Sequence, residues 1–208
     1  MAIKTYKSGA WVDIKGVNNA QAVRVHNGTS WIDIWTSMKT MTLLSNSITK
    51  GMFYAYDNGS MQYSKSLQYG EGSMTGGGTM VFYLDGEWVN PTITFDYSGN
   101  YMYETSNGNY ISSSAGTVAI YHRVKGASSA GTTQVLSKVG VDMSIDSGVE
   151  RGSVSKTLSG TYDRLGISFT IPTYSNSYSF MVLMLSIGEL KIGSQKLRFP
   201  ESAEFYYS

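Results

Sequence analysis

Hydrophobic positions in this chain recur at every second residue. Ile93, Phe95 and Tyr97 alternate with Thr94 and Asp96, and Ile167, Phe169 and Ile171 alternate with Ser168 and Thr170. Leu190 and Ile192 flank Lys191; Leu197 and Phe199 flank Arg198. Successive side chains of an extended strand point to opposite faces, so each stretch offers one face to a core and one to water. Residues 180–185 are apolar on both faces and read as a central strand, buried on both sides. Turn residues fall between the runs. Asp57-Asn58-Gly59, Asp85-Gly86 and Asn107-Gly108 tolerate the positive φ of hairpin turns, and Ser98-Gly99-Asn100 reads as a further hairpin. A short helix is an option only over residues 132–143. Many short strands with frequent turns predict an all-β fold, an antiparallel β-sandwich with the jelly roll among its arrangements.

The chain opens by repeating itself. Residues 6–14, "YKSGAWVDI", align with residues 25–34, "VHNGTSWIDI", with one residue inserted after the glycine. Each copy reads as strand, Ser-Gly or Asn-Gly turn, strand, with a tryptophan just past the turn. A lone hairpin is marginal in water. Two of them, with Trp35 added, carry more apolar surface than about 35 residues can hide. Tyr6, Trp11, Trp31 and Trp35 are therefore expected to be assembly contacts. The polar stretch 36–42 reads as a linker, which divides the chain into an attachment element (1–38) and a sandwich domain (39–208).

Composition sharpens the picture. Only 15% of the 208 residues are charged, and the net charge is +1. The surface must then be made of Ser, Thr, Asn, Gly and Tyr, neutral and hydrogen-bonding, with no basic field for nucleic acid or an anionic membrane. Tyrosines number 16, glycines 23 and prolines 3. There is no cysteine, hence no disulfide framework, which fits assembly in a reducing cytoplasm. The N-terminal "MAIKTYK" lacks a signal-peptide core, and the longest apolar run is too short to cross a bilayer, so no membrane insertion is expected. The glycines of residues 70–79 lack the Gly-Lys-Ser/Thr ending of a phosphate-binding loop and read as a surface loop, as do residues 125–133.

The doubled element resembles the short terminal repeats of tail-tip, baseplate and minor structural proteins of bacteriophages and prophages of Gram-positive bacteria. The residues that carry it are Tyr6, Gly9, Trp11, Asp13 and Ile14, then Val23, Val25, Asn27, Gly28, Trp31, Asp33 and Ile34. It covers about 35 residues; the remainder resembles fibre and receptor-binding domains in composition only. The resemblance implies a virion protein assembled in the host cytoplasm, other tail or baseplate proteins as partners, and a homo-oligomer, with a trimer favoured.

Candidate chemistry is sparse. His26 and His122 have no assignable nucleophile or orienting acid, so neither reads as catalytic. No zinc-type spacing or calcium loop appears, and no cofactor is expected. A glycosidase needs two opposed carboxylates; Glu71, Asp85, Glu87, Asp96 and Glu104 lie in the acidic middle third, but the sequence does not pair them. Sugar binding without cleavage is the stronger reading. Aromatic faces stack on the C–H side of a pyranose while Asp and Asn take its hydroxyls. Trp88, Asp85 and Asn90 of "DGEWVN", with Tyr97, Tyr101, Tyr103 and Tyr110, are the glycan-binding candidates, and a cell-wall or surface polysaccharide is the candidate ligand. A glycan-degrading tail enzyme and a non-phage bacterial carbohydrate-binding or adhesion module are the alternatives. Light scattering tests the attachment element: the full chain should scatter as an oligomer, and a chain starting at residue 39 as a smaller species. If both scatter as monomers of equal stability, the element has no assembly role.

Overall fold

A computed structural model describes residues 38–68, 77–105, 108–109, 114–144, 148–173 and 178–207, together with the backbone of the strands before residue 37. The chain divides into two compact units, residues 1–38 and 39–208.

The first unit contains two antiparallel hairpins. Strands β1 (Lys4–Lys7) and β2 (Ala10–Asp13) pair with Tyr6 opposite Trp11. Strands β3 (Ala22–His26) and β4 (Trp31–Thr36) pair with His26 opposite Trp31 and Val23 opposite Trp35, across a register shift at Val23/Arg24. The assembly role of the Tyr6, Trp11, Trp31 and Trp35 side chains lies outside the described residues.

The second unit is an all-β sandwich. Its smaller sheet runs β12 (Gly131–Val139), β11 (Gly116–Val124), β15 (Thr161–Ile171), β9 (Gly78–Val89), β6 (Thr42–Asn46), every neighbour antiparallel. The larger sheet has as its spine β10 (Thr92–Thr105), β16 (Tyr178–Ile192), β8 (Met61–Gln68), β7 (Gly51–Ala55) and β18 (Phe205–Tyr207). Strands β13 (Val141–Asp142) and β14 (Glu150–Thr157) share the other edge of β10. Strand β17 (Gln195–Arg198) flanks the end of β16 and pairs in parallel with β5 (Lys39–Thr40).

Period-two alternation supplies the core. The larger sheet turns Phe53, Met61, Tyr63, Phe95, Tyr101, Tyr103, Met181, Leu183, Leu185 and Ile187 inward; the smaller turns in Met80, Phe82, Val118, Ile120, Leu165, Ile167, Phe169 and Ile171. Phe53 sits where the layers meet. Its ring stacks on Phe82, Phe169 and Phe205 at centroid distances of 5.7, 6.0 and 6.0 Å, while Phe199 meets Phe82 edge-on at 4.9 Å.

Several local expectations are corrected. Ser98-Gly99-Asn100 is no hairpin; β10 runs straight through it. A Cβ on Gly99 would sit 2.9 Å from Val139 Cγ1, so this glycine answers a close approach rather than a turn. Asp85-Gly86 likewise lies inside β9, where the bare Gly86 makes room for the Trp88 ring. The reversal comes later, at Asn90 with φ +45°. Residues 131–139 form β12 rather than a helix, because Val135 and Leu136 pack on the core from an extended backbone. The linker expected over 36–42 is largely strand: β5 begins at Lys39, Met41 is buried, and its N–H donates to the Arg198 carbonyl at 2.9 Å. The surface loop expected over 125–133 ends early, since β12 starts at Gly131. The run 180–185 is central, between β10 and β8, but only Met181, Leu183 and Leu185 are buried; Val182 and Met184 on the opposite face are half-buried.

His122 is packed, not poised. It meets the Tyr162 ring edge-on at 5.5 Å, and its Nε2 shares a 3.0 Å hydrogen bond with Thr133 Oγ1. Nδ1 is buried with no hydrogen-bond partner among the described residues. Burial holds its pKa below the ordinary histidine value.

Two predictions follow from this interior. Phe53→Ala should lower unfolding stability by about 3–5 kcal/mol, read by urea denaturation; a loss under about 1 kcal/mol would show that the stack does not hold the layers together. A histidine whose folded pKa lies below its unfolded one stabilises fully above the unfolded value of about 6.5, and that stability is lost as pH falls below it. Denaturation midpoints should therefore drop between pH 7.5 and 5.5, above the carboxylate range, and His122→Gln should flatten the slope.

Candidate functional site

The outward face of the larger sheet follows from the inward one. With Phe95 and Tyr101 inside, Thr94, Asp96, Ser98 and Asn100 of β10 must point out. Cross-strand register then sets their neighbours. One row runs Arg151 of β14, Ser98 of β10, Ser186 of β16, Gln62 of β8 and Tyr54 of β7. Four interstrand spacings make that row about 19 Å wide. The next row is Ser153, Asp96 and Gly188; the one after it is Ser155, Thr94 and Lys191.

These rows form a groove of ≈ 610 Å³, lined among others by Tyr56, Gln62, Asp96, Ser98, Arg151 and Ser186. Ser153 Oγ donates to Asp96 Oδ1 at 2.6 Å, which fixes the carboxylate. Tyr56 OH donates to Gln62 Oε1 at 3.0 Å, orienting the amide. Arg151 is exposed and makes no ion pair among the described residues. At the far edge of the sheet, tyrosines stand in water: Tyr54 is 43% exposed, Tyr56 45% and Tyr206 69%. Tyr206 of β18 lies opposite Met52, two residues from Tyr54. Exposed aromatic rings beside a row of hydroxyl, carboxylate, amide and guanidinium groups can stack on the apolar side of a polyol and bond its hydroxyls.

The sequence candidates scatter elsewhere. Tyr101 and Tyr103 are 2% and 1% exposed, on the inner face, where no sugar reaches them. Tyr97 is half-buried on that same inner side, across Gly152, and its OH donates to Glu150 Oε1 at 3.3 Å. Burial first, and Glu150 second, raise its pKa above the usual tyrosine value. It nevertheless borders the groove. Trp88 packs half-buried against the core. Asn90 clasps a corner: its Oδ1 accepts from the Gly160 N–H and its own N–H donates to the Gly160 carbonyl, each at 2.8 Å. Asp85 is exposed on the smaller sheet and is taken by Arg164, whose Nε donates to it at 2.9 Å while the guanidinium lies 3.9 Å over the Tyr83 ring. Tyr110 lies outside the described residues. Sequence reasoning missed Tyr54, Tyr56, Gln62, Arg151, Ser153, Ser186 and Tyr206. The signal available was the polar half of the alternation already visible at Thr94 and Asp96.

No family model matches the sequence, and no curated protein matches it. Among solved structures the chain is similar to a family 29 carbohydrate binding module at 14% identity and a TM-score of 0.35, covering 76% of this chain and 82% of that one. It is also similar to the enzymatically active domain of tailspike protein 4 of bacteriophage CBA120, at 10% identity and a TM-score of 0.33, covering 75% and 18%. A third is the VP2 subviral particle of infectious bursal disease virus, at 12% identity and a TM-score of 0.32, covering 92% and 42%.

Proposed function

We propose that the open face of the larger sheet binds a glycan of a bacterial surface, and that the protein is a tail-tip or baseplate component of a phage or prophage of Gram-positive bacteria. One observation carries the binding reading: exposed tyrosines and a polar groove share the outward face of one sheet. The doubled hairpin of the first unit supports the virion reading through its resemblance to tail-tip repeats. On this reading the first unit attaches the chain to other tail proteins or to further copies of itself, in a trimer, and the sandwich recognises the host from the virion.

A hydrolytic role has one feature in its favour. Asp96 and Glu189 line the same small groove of ≈ 340 Å³ beside the main one. Yet Asp96 accepts from Ser153, and Glu189 lies 3.0 Å from Lys191 Nζ. Each carboxylate is thus already engaged by a neighbouring side chain. Binding without turnover is the reading that fits those partners.

Affinity electrophoresis in gels carrying purified wall polysaccharides tests the proposal. Retardation should occur with at least one of them. Tyr56→Ala and Asp96→Ala should each weaken binding by about 1–2 kcal/mol, on the order of tenfold, through a lost stacking surface and a lost charged acceptor. Asp85→Ala, on the other sheet, should leave it unchanged. Absence of retardation across Gram-positive wall polysaccharides would remove the binding role, and release of oligosaccharides would replace it with an enzymatic one.

A further inference from the structure

Two non-glycine residues of the described chain adopt left-handed backbone, Asn90 at φ +45° and Glu189 at φ +52°. Asn90 tolerates that region and uses it to clasp Gly160. Glu189 has no such excuse. It arises from a bulge: Thr94 pairs with Lys191 and Asp96 with Gly188, so two residues of β16 face the single Phe95. Of these two, Leu190 turns into the core and Glu189 remains exposed on the binding face. The bulge thus adds an outward carboxylate where an unbroken strand has none, at a backbone cost that glycine would avoid. Strain of this kind persists where the surroundings hold it in place, and it gathers at binding sites.

We propose that the bulge builds a second subsite continuous with the main groove, so that the face grips an inner stretch of a neutral polysaccharide chain; this rests on the glycan reading above. The polar lining of the smaller groove is Thr94, Asp96, Ser153, Ser155, Glu189 and Lys191, beside Phe95 and Val154. Asp96 and Ser153 also line the larger groove, so they stand in the middle of one run with lining residues on either side. From Ser98 to Thr94 the floor advances about 13 Å along β10, more than one sugar ring needs. The charges of the run cancel: Asp96 and Glu189 against Arg151 and Lys191. A charge-balanced cleft selects neutral sugars over a polyanion.

Calorimetry on the full chain tests the inference. The probes are hydrolysed, size-fractionated neutral wall polysaccharide and a polyanionic teichoic acid. Affinity should rise with fragment length and exceed that for teichoic acid. Glu189→Gly should raise the thermal midpoint by a few degrees, about 2–4 °C, by relieving the backbone, while weakening the longer fragments about tenfold and sparing the shortest. Glu189→Asn, which also tolerates this backbone, should weaken them likewise. Unchanged affinity in both variants, or tighter binding to teichoic acid, overturns the subsite. If the unaltered protein binds no fragment of any length, the glycan reading itself fails and this inference goes with it.

Discussion

The arrangement of the second unit depends on where one ring goes. Phe53 stacks on Phe82 and Phe169 of the opposing sheet and on Phe205 of the neighbouring strand. Aromatic side chains each bury 150–250 Å², roughly, so a cluster of this size dominates the local energetics. Its effect reaches beyond stability. Side chains alternate along a strand, so burying Phe53 compels Met52 and Tyr54 to the other face. Antiparallel pairing passes that choice to Gln62 on β8, to Ser186 on β16 and to Ser98 and Arg151 beyond. The interior packing and the exterior chemistry are one decision, taken once and transmitted by register.

This explains which parts were legible beforehand. Alternation at Ile93–Phe95–Tyr97 and Ile167–Phe169–Ile171 is a local property, and the all-β sandwich could be read from it directly. Turn chemistry was a poorer guide. Gly86 and Gly99 look like turn residues, but each is a glycine because something leans on it, the Trp88 ring and the Val139 side chain. A missing side chain has the same signature in both situations, and only tertiary contact separates them.

The site was hidden for a related reason. Tyrosine signals binding when exposed and packing when buried, and composition does not distinguish the two. Tyr101 and Tyr103 sit on the inward half of β10, whereas Tyr54 and Tyr206 come from segments some 150 residues apart and share an edge only through pairing of β7 with β18. Arg151 and Ser153 reach the groove through β14, whose polar sequence offered no strand signal of its own. Strand order, which no short stretch encodes, assembled the face.

The short parallel ladder between β5 and β17 has a mechanical meaning. Lys39 and Thr40 lie beside Leu197 and Arg198, with Arg198 Nε donating to Thr40 Oγ1 at 2.7 Å, and β17 is in turn bonded to β16. Tension entering the sandwich through residue 38 therefore passes along hydrogen-bonded backbone to the strand that carries Ser186 and Gly188, without first crossing the apolar interior. The opening strand of the second unit is thus joined through one intervening strand to the strand that floors the groove.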